Sequence, residues 1–299
     1  MNFSSRFLKG IPKEEKKIEI DKVYNLDKEK DIILPLGTCF LDVLAKTLTK
    51  KKYKILTNDK DTKIGKNALE FLFGNFYNPL NLLDNLERIV LKKWSFKNAD
   101  YLYSKEFDHY INLYVKARLK TKDLNLLKKR IEEMDNFLIQ NIKKSKVIIL
   151  SYTGTEVWID KFSKKAWYSF YGNIFNQKCY NDQANLKILD YKKIKDITEK
   201  IIKILNKFGK KKIILMVTSN KLWTTYQNKD IDIIDTYTKS TYVTAFNDLV
   251  SKNVSYFPAL EIINNLDENK KYRKDFRHIN IRTHENILEP YFKKMYFKN

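Results

Sequence analysis

Five short apolar runs punctuate this chain: Asp31-Ile32-Ile33-Leu34, Tyr53-Lys54-Ile55-Leu56, Val147-Ile148-Ile149-Leu150, Ile213-Ile214-Leu215-Met216-Val217 and Val254 to Phe257. Between them, apolar residues recur at helical spacing, most clearly at Leu127, Ile131, Met134, Phe137, Leu138 and Ile142 within an expected helix from Asp123 to Lys143. Unbroken runs of β-branched and aliphatic residues suit strands buried on both faces, which occur in parallel sheets covered by helices. The order therefore predicts a three-layer α/β/α sandwich around a mainly parallel, five-stranded sheet. Further helices are expected at Leu80 to Leu91, Ile194 to Phe208, near Tyr242 to Val250 and from about Glu285.

No internal repeat, low-complexity tract or Gly/Ser linker divides the sequence, so one domain is expected over 31–299, preceded by a basic, weakly ordered arm over 1–30. Aromatic residues around Trp167 to Phe175 suggest a hairpin insertion near 160–180, whereas 97–109 reads as irregular. The formal net charge is +22, which in isolation suggests a polyanionic partner. Lys greatly outnumbers Arg, however, and is spread over nearly every segment, whereas phosphate readers concentrate basic residues and favour Arg. A nucleic-acid role therefore ranks last, although the charge suits an acidic substrate or peripheral association with an anionic membrane surface. Two cysteines, Cys39 and Cys179, build neither a disulfide framework nor a zinc site, and both are read as structural. With no apolar leader run and no stretch of transmembrane length, a cytoplasmic location is expected.

The first run ends at Pro35 and Gly37 and leads into Phe40, Val43, Leu44, Thr47 and Leu48 at helical spacing, so a strand, a sharp turn and a helix meet at Thr38 and Cys39. Backbone N–H groups at such a helix start can stabilise an anion, but a threonine there is equally a capping residue. Ser151 to Trp158, directly after the third run, fall where open α/β sheets place ligands, and Thr218-Ser219-Asn220 follow the fourth run in the same way. Of the three histidines, His109 and His284 read as surface or loop residues. His278 stands three residues after Asp275, a spacing that lets the carboxylate take the Nδ1 proton and leaves Nε2 to act as a base.

The combination of a GTCF turn after the first strand with a late DxxH resembles the SGNH hydrolase arrangement, and more closely its GSCFA branch. Leu36-Gly37-Thr38-Cys39-Phe40 resembles an LGSCF signature, Gly74 to Pro79 a GxxYNP stretch and Thr153 to Trp158 an LGTxEVW stretch. Tyr256-Phe257-Pro258 with Glu261 resembles YFPxxE, and Asp275-Phe276-Arg277-His278 resembles the terminal DxxH. Two positions depart from the pattern: Thr38 stands where the family has serine, and Ser219-Asn220-Lys221-Leu222 where it tends to have SPVP.

The resemblance implies a flavodoxin-like sheet and a Thr38, Asp275, His278 variant of the hydrolase triad. The Thr38 and Gly74 N–H groups, with Asn78, would then stabilise the oxyanion, and Gly154 and Thr155 would lie in the region where related enzymes place an oxyanion-hole asparagine. Glu156 would bind a sugar hydroxyl. Trp158 is either a sugar-stacking ring or, as favoured, a core aromatic, and Lys239 binds an anionic substituent or caps a helix. The implied activity is ester hydrolysis or O-acyl transfer on a carbohydrate or sugar-nucleotide, in the modification of a bacterial surface polysaccharide precursor, capsular or lipo-oligosaccharide. No bound cofactor or metal is expected, and acetyl-CoA or another activated donor would serve as co-substrate. The alternatives are transfer of a phosphoryl-type group to a sugar, or a non-catalytic descendant that binds a carbohydrate or nucleotide-linked ligand.

Overall fold

The computed structural model describes residues 19–56, 76–104, 108–115, 121–168, 182–222 and 224–298. Residues 1–18, Gly74 and its apolar neighbours from Ala68, and 169–181 with Cys179 lie outside the described residues. Four parallel strands, β1 (Ile33–Gly37), β2 (Val147–Tyr152), β3 (Lys212–Val217) and β4 (Val254–Tyr256), stand side by side in that order.

The expected fifth strand at 53–56 touches β1 through one bridge, with Ile33 N–H donating to Lys54 O at 2.9 Å and Leu56 N–H to Ile33 O at 2.9 Å. Its shortness has a covalent cause. Ile32 directs its carbonyl to Lys146 on the β2 side, Ile33 faces 53–56, and the next residue facing that edge is Pro35, which has no N–H to give. Proline was expected to end the strand; instead it sits inside β1 and ends only the pairing on one side. With that edge segment counted, the strands follow the order 2-1-3-4-5 of a flavodoxin-like sheet, whose switch point lies between β1 and β2.

Side chains alternate along each strand as the pleat requires. Leu34, Leu36, Ile148, Leu150, Ile213 and Leu215 pack into one core, and Ile33, Val147, Ile149, Ile214 and Met216 into the other. Helices α2 (Pro79–Ile89), α3 (Leu124–Lys144), α4 (Tyr191–Leu205) and α5 (Ile231–Asn247) cover the first face. Asn78, Asp123, Asp190 and Asp230 cap these four helices by accepting N–H bonds in the first turn. The second face is covered by α1 (Cys39–Lys50), α6 (Ala259–Asn264) and a C-terminal helix α7, which runs through Ile281–Thr283, a π turn at His284–Leu288 and Glu289–Tyr296.

The segment read as irregular at 97–109 contains half of an antiparallel hairpin, Tyr101–Ser104 with His109–Asn112. A second antiparallel pair, Glu156–Asp160 with Ala184–Ile188, brackets the expected insertion. Trp158, Trp167, Tyr168 and Tyr114 pack together beneath them, so Trp158 is a core aromatic. The stretch expected as an arm also reaches the core, because Tyr24 and Leu26 are buried and Leu26 pairs with Phe297.

At the switch point β1 and β2 approach so closely that a Cβ on Gly37 would lie 2.1 Å from Ser151 O. Backbone cannot yield by that amount, so Gly37→Ala is expected to cost at least about 2 kcal/mol in urea unfolding.

His284, read as a surface or loop residue, is instead buried in α7 with its ring 4.8 Å from that of Phe40. Burial, assisted by the charge of Arg273, pushes its pKa down from 6.5 to about 3. The unfolded imidazole takes up a proton below pH 6.5 and the folded one only near 3. The contribution is therefore complete above pH 6.5 and is lost as pH falls toward 3, by roughly 1 kcal/mol per pH unit. Between pH 7 and pH 5 the urea midpoint of wild type should fall relative to that of His284→Leu, whichever is higher at pH 7.

Candidate active site

Thr38 joins the C-terminal end of β1 to the first turn of α1 in extended conformation, with φ −84° and ψ 171°. That is the geometry of a capping residue, yet its side chain accepts no capping bond. The residue is 1% exposed, and its hydroxyl has no hydrogen-bond partner among the described residues. A buried hydroxyl without a partner costs stability, so the capping reading does not account for this threonine. The facing Ser151 hydroxyl at the end of β2 is likewise unpartnered among the described residues.

The late DxxH forms a compact turn. Asp275 Oδ1 accepts the N–H groups of Arg277 at 3.0 Å and His278 at 2.9 Å, while Oδ2 lies 2.7 Å from His278 Nδ1. Partial desolvation works to raise the Asp275 pKa, but the two backbone bonds and the His278 ring outweigh it and hold the group well below the ordinary carboxylate range. A carboxylate can only accept, so Nδ1 carries the shared proton and the neutral ring keeps its lone pair on Nε2.

Asn220, in the polar tripeptide after β3, brings this turn to the head of α1. Its Nδ2 lies 3.6 Å from Cys39 Sγ, and its Oδ1 accepts the N–H of Ile279 at 3.1 Å. One buried side chain therefore contacts both the residue after Thr38 and the residue after His278. Lys221 N–H donates to Arg277 O and Arg277 Nε to Lys221 O, so the turn is held by backbone as well. Ser219 Oγ donates to Ala259 O, fixing the same tripeptide to α6. Asn220 stands where the sequence departs from SPVP; its position directly after a parallel strand was the signal for its role. Cys39 is a free thiol whose pKa is pushed up by burial, with the Arg277 charge opposing, which suits a structural side chain.

Of the other expected site residues, Gly74 lies outside the described residues, and those described have partners elsewhere. Gly154 N–H donates to Tyr77 O at 2.8 Å, and Gly154 O accepts from Tyr242 Oη at 2.7 Å. Thr155 shares a 3.0 Å hydroxyl contact with Thr238 on α5. Asn78 Oδ1 accepts Asn81 N–H at the start of α2. Glu156 accepts from the Thr225 hydroxyl, from Tyr226 N–H at 3.0 Å and from Gln227 Nε2 at 3.0 Å, so it anchors the loop after β3 rather than presenting an open carboxylate to a sugar. Lys239 lies inside α5, not at a cap, and pairs with Asp235 at 2.6 Å. Its pKa is lowered by desolvation despite that partner. His109 is half-buried within its hairpin.

Among the described residues, no cluster of three or more His, Cys, Asp or Glu side chains is arranged to hold a metal ion. Among the same residues, no helix is long and apolar enough to cross a membrane. The sequence model of the GSCFA family matches residues 32–291, a span that includes Thr38, Asn220, Asp275 and His278. No curated protein sequence matches the chain.

Because the Thr38 hydroxyl has no partner among the described residues, Thr38→Val removes a buried polar group while keeping shape. Thermal unfolding should show it to be as stable as wild type or more stable, by up to about 1 kcal/mol, whereas a working cap would lose about that amount.

Proposed function

The chain belongs to the GSCFA family, and from that premise we propose that it is an SGNH-like hydrolase or O-acyltransferase acting on a carbohydrate. The observation that carries the proposal is the Asp275–His278 pair, held at 2.7 Å and tied through Asn220 to the helix start that bears Thr38. In this reading Thr38 Oγ attacks the acyl carbonyl as His278 Nε2 takes the hydroxyl proton, and Asp275 stabilises the imidazolium. The tetrahedral intermediate expels the donor's alcohol or thiol, which receives the proton from His278, leaving acyl-Thr38. Water or a sugar hydroxyl then attacks the acyl group, His278 again moving the proton. Backbone N–H groups at the head of α1 supply positive potential for the oxyanion. Acetyl-CoA is a fitting donor, and a surface polysaccharide precursor a fitting acceptor.

Two features of Thr38 bear on the outcome. The Thr38 β-methyl restricts χ1 and crowds the attack path, so transfer should be slower than with serine. The near-complete burial of Thr38 favours a second reading, a non-catalytic descendant that keeps the scaffold and binds a carbohydrate. Hydrolysis of 4-nitrophenyl acetate and of acetyl-CoA separates them. Thr38→Ser should accelerate turnover several-fold, and Thr38→Val and His278→Asn should each reduce it by about a thousandfold. Equal background rates for wild type, Thr38→Ser and His278→Asn would favour the binding descendant.

A further inference from the structure

Phe276 lies between the two members of the proposed dyad and is 77% exposed, so its ring contributes little to the core. Its backbone is in the left-handed region, with φ +52°, as the turn that presents two N–H groups to Asp275 requires. The other described non-glycine residues with positive φ are Lys52, Lys92, Asp108 and Lys164, so Phe276 is the one aromatic among them. Asparagine or glycine would meet the backbone requirement with less strain. A bulky apolar ring that costs energy in the fold and faces solvent beside a proposed catalytic pair is explained by contact with a ligand.

Charge points to the character of that ligand. Lysine is abundant throughout the chain, but there are only seven arginines, and three of them, Arg273, Arg277 and Arg282, fall within ten residues around this turn. The stretch 270–282 holds six basic residues against one acid, Asp275, which His278 already engages. Arginine differs from lysine in its planar fork, suited to carboxylate and phosphate. Arg273 and Arg277 each fix their Nε to a backbone carbonyl, of Ile279 at 3.2 Å and Lys221 at 3.1 Å, which orients both guanidinium planes. The Arg277 charge reaches Cys39, placing it beside the head of α1.

We propose that the turn 273–278 is an acceptor subsite for a pyranose ring bearing an acidic group, with Phe276 stacking on the ring and Arg277 binding its carboxylate or phosphate. The proposal rests on the acyl-transfer reading for the role of the subsite, but its test reads binding alone. Saturation-transfer NMR and titration with glucuronate, galacturonate, glucose 6-phosphate, glucose and coenzyme A would be run on wild type, Phe276→Ala, Phe276→Asn and Arg277→Lys.

At least one acidic sugar should bind more tightly than glucose, with Kd rising roughly three- to tenfold in Phe276→Ala and also rising in Arg277→Lys. Phe276→Asn should weaken binding equally while raising the melting temperature, a pairing that a packing role for the ring would reverse. Absence of binding by all three acidic sugars, equal binding of glucose, Kd values unchanged in either Phe276 variant, or Phe276-dependent binding of coenzyme A alone would overturn the proposal. So would a fall in the melting temperature of Phe276→Asn. Wild type that binds the acidic sugar but hydrolyses neither 4-nitrophenyl acetate nor acetyl-CoA would count against the acyl-transfer reading and leave the subsite standing.

Discussion

The close approach of Gly37 to Ser151 sets the geometry on which the candidate site depends. Two parallel strands meet at the switch point with no space for a Cβ, and the chain then turns directly into α1. That contact fixes where the first turn of α1 stands relative to the ends of β2 and β3. The same edge of the sheet carries Ser151, Thr218, Ser219 and Asn220, all buried. Apolar side chains would be cheaper at such positions, and a fold that buries this many polar groups at one edge concentrates its hydrogen-bonding capacity there.

Onto this rigid edge the structure docks a segment from the far end of the chain. The Asp275 turn has little apolar packing of its own, since Asp275 and Phe276 are exposed, and it is held by directional bonds instead. Asp275 organises it from within and Asn220 from the sheet side, while Lys221 N–H donates to Arg277 O and the Arg277 side chain donates through Nε to Lys221 O. Such a turn is positioned by hydrogen-bond geometry more than by burial. A change in any one of these partners therefore acts on the orientation of His278 before it acts on global stability.

Much of this was legible in the residues. The parallel sheet could be read because each strand is apolar on both faces, and the DxxH turn because a three-residue spacing lets one carboxylate reach both the amide and the ring of His278. The Pro35 effect was hidden because it depends on which neighbour each residue of β1 faces, a matter of register that composition does not record. His284 and Glu156 were misread for a related reason. A polar residue's apparent availability in sequence says nothing about the long-range partner that occupies it, here the loop at 225–227 for Glu156 and the α1 face for His284.

The central claim, that Thr38, His278 and Asp275 act together as one acyl-transfer site, is tested most directly by intact-protein mass spectrometry with a fluorophosphonate, followed by peptide mapping. The account predicts a single adduct on Thr38, formed faster in Thr38→Ser and lost in His278→Ala. An adduct on another residue, such as Ser219 or Cys39, or none in wild type and Thr38→Ser alike, would contradict it.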